Sequence, residues 1–287
     1  MFWKKSNRVQ NANRRNHSKE VGDFYDLRTK DFLHVYGEVI QAFRTNDVSE
    51  WLAYTAQAMD LQHQSIVLDA GCGVCGPARY YAKHFSDLKI KACSISAVQV
   101  EQAEQKNRAA DLQAQIQVEH LDYHNMAQHY PESSFDLVYF LESFGHSSQQ
   151  TYLLEQVYTV LKAGGTLYIK DLFKALDPDD WKRQRIDEIC QDINKAYHYH
   201  IPSLSTFLEA ARKIGFRLEW VRVPQVNLET FEHLKISNDF QELFNVGKIN
   251  SWADYIFPID FYELKLTKPT AVAPEDLHKY FMNKHKV

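Results

Sequence analysis

Between Glu20 and about Asp60 the apolar residues recur at spacings of three and four: Phe24, Leu27, Phe32, Val35, Tyr36, Val39, Ile40 and Phe43. That is the period of one helix face. A second amphipathic stretch carries Trp51, Leu52, Tyr54 and Met59, and no strand candidate precedes residue 65. The period then changes. Ile66–Leu68, Ile90–Ile95, Ile116–Leu121, Phe135–Leu141 and Gly165–Leu172 read as short buried strands. Helical patterns over Pro77–Phe85, Ala97–Ala110 and Gln149–Leu161 separate most of them. Such alternation predicts an α/β fold with a parallel sheet covered on both faces. After residue 173 the pattern predicts helices over Pro178–Tyr199 and Ser203–Ile214 and a strand over Phe216–Val223. Residues 226–255 read as mostly helical, Phe261–Leu266 as a closing strand, and the end of the chain as a charged helix. The expected organisation is a basic arm and helical cap over residues 1–60, then an α/β core over 61–287 with helical insertions at about 174–200 and 226–255.

The chain has 287 residues, of which 45% are hydrophobic, enough for one large domain with insertions. Its 33 Lys and Arg against 37 Asp and Glu leave a net charge of −4, which argues against a general nucleic-acid binder. Residues 1–19 do concentrate six cations and no acid, including Arg14, Arg15 and Lys19. They read as a loose arm, or as a strip that meets an anionic surface or another subunit. No apolar run reaches the length of a transmembrane helix, and the polar, basic beginning does not resemble a secretory signal. Cys72, Cys75, Cys93 and Cys190 are too few for a disulfide framework in a chain this long. A reducing, cytoplasmic setting is expected, with a small-molecule substrate and with homo-oligomerisation left open.

Three of only ten glycines fall within Asp69-Ala70-Gly71-Cys72-Gly73-Val74-Cys75-Gly76, between a strand and a helix. Glycines there permit a tight turn and bring a ligand against bare main chain. The end of the loop is Gly76-Pro77-Ala78, not the Gly-Lys-Ser/Thr of a phosphate-binding ATPase. The spacing does match G-x-G-x-x-G, but the next strand ends Cys93-Ser94-Ile95-Ser96, without the acid that holds a dinucleotide ribose. The residues alone leave NAD and another adenosine ligand open. Cys72 and Cys75 also form a C-x-x-C, for which a redox or zinc role is the lesser alternative.

Val67-Leu68-Asp69-Ala70-Gly71-Cys72-Gly73 resembles the first motif of class I S-adenosylmethionine (SAM) methyltransferases. Its continuation, Val74-Cys75-Gly76-Pro77-Ala78-Arg79, is similar to the G-V-G-G-P-A-R of sterol C-methyltransferases, and Leu161-Lys162-Ala163-Gly164-Gly165 to the family's L-K-P-G-G turn. Ser94-Ile95-Ser96-Ala97-Val98-Gln99 resembles the T-L-S-x-x-Q of prenyl diphosphate C-methyltransferases. The resemblance implies a Rossmann-like, seven-stranded, mostly parallel sheet with an antiparallel last strand, and SAM as cofactor. It assigns Asp69, Gly71, Cys72 and Gly73 to the amino-acid part of SAM, and Ser94, Ile95 and Gln99 to the ribose. Asp122 takes the place of the acid that meets the adenine amine, beside Tyr123, and Leu141 completes the set. A lesser alternative for Asp122 is to cap the turn that follows it, and both roles can coexist.

Glu142 and His146 follow the fourth strand with the E-x-x-x-H spacing found in sterol C-methyltransferases and cyclopropane synthases. Attack of an alkene on a sulfonium methyl leaves a carbocation whose neighbouring proton is very acidic. The base therefore needs position and dryness rather than strength. Glu142 is the expected base, and aromatic faces can steady the cation. Tyr25-Asp26-Leu27-Arg28-Thr29 and Tyr36-Gly37-Glu38 resemble the cap segments of the same enzymes, and Ile193–Ile201 the insertion of the prenyl diphosphate branch. Tyr25, Arg28, Tyr36, Phe144, Tyr197, His198 and Tyr199 are the expected substrate contacts. A diphosphate would have to draw on Arg28, Arg44, Lys174, Arg183, His198 or His200 and would bring its own Mg2+. Asp177-Pro178-Asp179-Asp180 reads as a helix start with Asp177 as N-cap rather than as a metal site. The expected activity is C-methylation of an isoprenoid alkene, prenyl diphosphate-like. The alternatives are O- or N-methylation of another small metabolite and an inactive SAM-binding scaffold.

Overall fold

The computed structural model describes residues 2–40, 45, 47–225 and 256–270, with side chains from Ala12 onward. The predicted helices at 226–255 and at the end of the chain lie outside the described residues.

Helix α1 (Phe2–Tyr36) and helix α2 (Val48–Ala58) precede the sheet. The strands are β1 (Ile66–Ala70), β2 (Lys89–Ser94), β3 (Ile116–His120), β4 (Phe135–Leu141), β5 (Leu161–Lys174), β6 (Arg217–Arg222) and β7 (Ile259–Thr267). They pair in the order β3-β2-β1-β4-β5-β7-β6, with β7 antiparallel to both neighbours. Helices α3 (Gly76–His84), α4 (Ala97–Ala109), α5 (Met126–His129), α6 (Gln150–Val160), α7 (Asp180–Tyr197) and α8 (Leu204–Ile214) connect them. This is the Rossmann-like, seven-stranded, mostly parallel sheet with an antiparallel last strand that the resemblance implies.

Alternate residues of β1 and β4 divide between two cores. Val67, Leu137, Tyr139 and Leu141 pack with α2 and α3, whereas Leu68, Ala70, Val138 and Phe140 pack with α6 and α8. Burial on both faces explains why these strands read as nearly continuous apolar runs. β1 and β4 are parallel, and the order in which strands are added to the sheet reverses between them, so the ligand crevice of an open α/β sheet lies at their carboxyl ends.

The expected loose arm is instead helical from Phe2 and continuous with the cap. Arg14 shows why it docks: the side chain is buried, with its guanidinium 4.3 Å from the Tyr152 ring centroid. The 174–200 insertion is α7, but it starts two residues later than the acids predict. Asp179 is the residue before the helix, and Asp177 accepts from its N–H at 2.9 Å. Lys182 pairs with Asp177 and Asp179, and Arg183 with Asp180. Among the described residues no helix is long and apolar enough to cross a membrane, and no group of three or more His, Cys, Asp or Glu could hold a metal.

Candidate active site

The turn after β1 is tied to β2, because the Gly71 and Cys72 N–H groups both donate to the Cys93 carbonyl, at 3.0 and 2.9 Å. Gly71 has φ +87°, and a Cβ there would lie 2.5 Å from Ser143 Cβ, so the β1 and β4 turns meet at a contact that excludes a side chain. Ser143 closes it by donating to the Ala70 carbonyl at 2.6 Å. Above these strand ends α1 forms a roof. Asp26 accepts from the Ser96 hydroxyl and the Val98 N–H at the start of α4, at 2.6 and 3.1 Å. Glu38 bridges Arg79 and Lys106, at 2.5 Å each. Burial works against the Glu38 charge, but the hydrogen bonds from Lys106 and Arg79 outweigh it and hold its carboxyl below the usual range.

Roof and strand ends enclose a cavity of about 950 Å³, part of it open to solvent. Gly71, Cys72, Gly73, Ser94, Ile95, Gln99, Asp122, Tyr123 and Leu141 all line it. Asp69 does not. It lies beneath on β1, between Ala92 and Tyr139, and burial pushes its carboxyl up to about 7. Ser94 donates to Gln99 at 2.7 Å, so the end of β2 offers polar groups but no acid. Asp122 caps the turn that follows it and still faces the cavity. It accepts from the His124 N–H at 2.9 Å and from the ring at 2.7 Å. Burial disfavours its charge, but the bonds from His124 keep its carboxyl below the usual range. A glycine turn, a ribose-sized polar step and a retained carboxylate fit an adenosyl amino acid such as SAM. Cys72 and Cys93 are buried thiols, pushed up from their ordinary value and so poor nucleophiles or ligands.

Glu142 and His146 line the same cavity. Glu142 has φ +54°, a left-handed conformation that a non-glycine residue seldom adopts. Its carboxylate accepts from Lys170. Lys170 was missed in the sequence, although a charged pair, Lys170-Asp171, inside an apolar strand was a signal for it. Asp171 is buried and accepts from the Phe144 and Gly145 N–H groups, at 2.9 and 3.2 Å, and from the Tyr199 hydroxyl. It braces the turn that carries His146. Burial pushes its carboxyl up, against those hydrogen bonds.

Of the expected substrate contacts, Tyr25 lines the cavity and the other six do not. Phe144 is fully buried, with its ring centroid 5.4 Å from those of Phe140 and Phe207. The short helix after β4 turns it into the core. Tyr199 lies behind His146, 4.3 Å between ring centroids, with its hydroxyl on Asp171. His198 ends α7 in the left-handed conformation and packs 5.4 Å from Phe24. Arg28 pairs with Asp31 on its own helix. Tyr36 packs on Phe32 at 6.1 Å, and burial raises Tyr36 and Tyr197 above their ordinary values. The wall is completed instead by Val21, Thr29, Phe32, Leu33 and Ile40.

Residues 67–165 match the family described as "Methyltransferase domain". The match spans β1 to the turn within β5, the part that builds the glycine loop and the Glu142 turn. The chain carries a class I SAM-dependent methyltransferase domain. The chain is 28% identical over 217 residues to the cycloartenol-C-24-methyltransferase of Arabidopsis thaliana, covering 71% of this chain and 62% of that one. The chain thus spans about three fifths of the length of that relative. In fold it is similar to the [4+2]-cyclase SpnF (TM-score 0.67, 20% identity, 88% of this chain and 97% of that one). It is also similar to the geranyl diphosphate C-methyltransferase of Streptomyces coelicolor A3(2), solved with Mg2+, geranyl diphosphate and S-adenosyl-L-homocysteine (TM-score 0.58, 13% identity, 77% and 78%). The cyclase shows that the fold does not by itself define the reaction.

Proposed function

We propose that the chain transfers a methyl group from SAM to an alkene carbon of an isoprenoid, and that Glu142 takes the proton from the resulting carbocation. The observation that carries this reading is the setting of Glu142: a paired carboxylate in a roofed wall that is otherwise largely apolar and aromatic. Bound SAM supplies an electrophilic methyl. The chain's own residues then have three tasks. Phe32, Leu33, Ile40 and Val21 keep water from a cation it would quench. The ring of Tyr25 offers a π-face to the positive charge. Glu142 accepts the proton beside the new C–C bond, and an alkene forms again.

The wall also bears on the head of the substrate. Among the described lining residues there is no Lys or Arg. Lys174 pairs with Asp187, Arg183 with Asp180 and Arg28 with Asp31, none of them a lining residue, and Arg44 lies outside the described residues. The reading therefore favours an uncharged isoprenoid over a prenyl diphosphate with Mg2+. In an O- or N-methyltransferase Glu142 or His146 would deprotonate or orient the nucleophile, and of the two His146 is the less suited, because both ring nitrogens already face partners in the protein.

The test is product mass spectrometry with methyl-deuterated SAM and a panel of geraniol, geranyl diphosphate, cycloartenol, a phenol and an amine. A labelled methyl on the carbon of an uncharged isoprenoid is the expected result. Label on geranyl diphosphate alone would restore the diphosphate reading. Label on the phenol or amine alone would remove the carbocation mechanism.

A further inference from the structure

Lys170 meets Glu142 at both ends. Its ammonium donates to Glu142 Oε1, and its carbonyl accepts from the Glu142 N–H at 2.7 Å. The Lys170 side chain is buried, at 4% exposure, and that of Glu142 is mostly covered, at 12%. The ammonium is steadied from behind by aromatic faces, 5.3 Å from the Trp51 ring centroid and 4.8 Å from that of Phe261. A rival acid stands close by. Glu263 of β7 is the register partner of Lys170. Its carboxylate, however, accepts from Arg222 at 2.5 Å, from Tyr168 at 2.6 Å and from Tyr54. Asp171, next along β5, is turned to the Tyr199 hydroxyl and the turn N–H groups. Of these three acids, Glu142 is the one whose carboxylate accepts directly from the Lys170 ammonium. Lys170 itself is absent from the cavity lining, so it stands behind the carboxylate rather than against the substrate.

We infer that Lys170 is a positioning residue that fixes the Glu142 carboxylate, ionised, in one orientation toward the cavity. The inference rests on the proposed role of Glu142 as base. Its chemical reason is the demand of that role. A carbocation gives up its proton to a weak base, so the partner cation costs the reaction little in basicity. An unpaired carboxylate in this apolar wall would instead be penalised by desolvation and would tend to take up a proton before the substrate offers one. A carboxylate with free rotamers would also meet the short-lived cation less often in a productive pose.

The experiment compares wild type, Lys170→Met, Lys170→Gln, Lys170→Arg and Glu142→Gln on the isoprenoid methylated most rapidly in the panel above, with SAM binding measured by calorimetry. Lys170→Met should bind SAM within about threefold of wild type. Its kcat should fall about 10- to 100-fold with KM nearly unchanged, and the acid limb of its kcat profile should move up by about one pH unit or more. Lys170→Arg should recover most of the rate and the original limb. If Lys170→Met does not bind SAM, Lys170→Gln, which keeps a donor without the charge, must show the same moved limb. Normal kcat and an unmoved limb in whichever neutral variant binds SAM would overturn the role of Lys170 alone. Near-normal turnover in Glu142→Gln, or no isoprenoid product from wild type, would overturn the base assignment and this inference with it.

Discussion

Tyr25 of the roof and His146 of the β4 turn share one hydrogen bond whose direction is set by a third residue. His146 Nδ1 lies 3.1 Å from the His198 carbonyl, which can only accept, so Nδ1 carries the proton. Nε2 is then the acceptor, and the Tyr25 hydroxyl, 2.8 Å away, donates to it. Tyr25→Phe leaves a buried nitrogen without a donor, at a cost of about 1–3 kcal/mol. The expected result is a thermal midpoint lower by about 2–10 °C for a chain of this size, with weaker SAM binding because α1 also carries Val21, Thr29 and Leu33 of the wall. An unchanged midpoint would mean that the bond contributes nothing to docking.

The same burial gives a pH signature. Burial drives His146 from its ordinary value down to about 3 and lowers His17 as well. Between about pH 6.5 and 3 the unfolded chain binds a proton at position 146 that the native state refuses, so this term makes stability fall as pH falls. Asp69, raised to about 7, and Asp171, also raised, act with the opposite sign, because the native state holds their protons first. The contribution of His146 is therefore read as a difference. Urea midpoints of wild type and His146→Gln should converge as pH is lowered from 7.5 to 5. Parallel curves would show that His146 is not held neutral.

Gly145 is fixed by its neighbour. A Cβ there would fall 1.9 Å from Tyr199 Cε1, and the Tyr199 ring is held by its hydroxyl bond to Asp171. Gly145→Ala must displace that ring or the turn, and overpacking of this kind costs about 1–3 kcal/mol. Denaturant unfolding should show the loss, and Gly145→Ala combined with Tyr199→Leu should lose less than the sum of the two single changes. Additivity would show that the two residues do not press on each other.

The succession of strands and helices along the chain and the glycine turn were legible because each rests on local pattern: an apolar run, a change of period and a turn. The seven-stranded sheet, the assignment of the strand ends to SAM and the place of Glu142 and His146 came through resemblance. The substrate wall was not legible. Phe144 and Tyr199 look like pocket aromatics in sequence, but which way a turn rotates Phe144 depends on Asp171 pulling on the Phe144 and Gly145 N–H groups from another strand. The basic arm misled for a similar reason. Its composition favours disorder, and a tertiary contact, Arg14 on Tyr152, offsets it.

Asp26 links the roof to the cofactor side of the cavity, which makes it the point at which docking and SAM affinity are coupled. Its Oδ1 accepts from Ser96 Oγ at 2.6 Å and from the Val98 N–H at 3.1 Å. Ser96 is itself the N-cap of α4, accepting from the Gln99 N–H at 3.1 Å, and Gln99 receives the Ser94 hydroxyl at 2.7 Å. Asp26→Ala removes an acceptor from a helix N-terminus, a change worth about 1 kcal/mol, and frees the cap serine to rotate. Ser94 and Gln99 line the cavity, so part of that cost should appear as a Kd for SAM about two- to fourfold weaker. Release of α1 should appear separately, as faster tryptic cleavage after the exposed Arg15 and Lys19. Asp26→Asn keeps an acceptor oxygen and should lie between wild type and Asp26→Ala in both assays. If Asp26→Ala weakens SAM binding without exposing α1, the residue organises the α4 cap alone. If it exposes α1 while SAM binds as before, the roof contributes no affinity for the cofactor and serves only to close the cavity over the substrate.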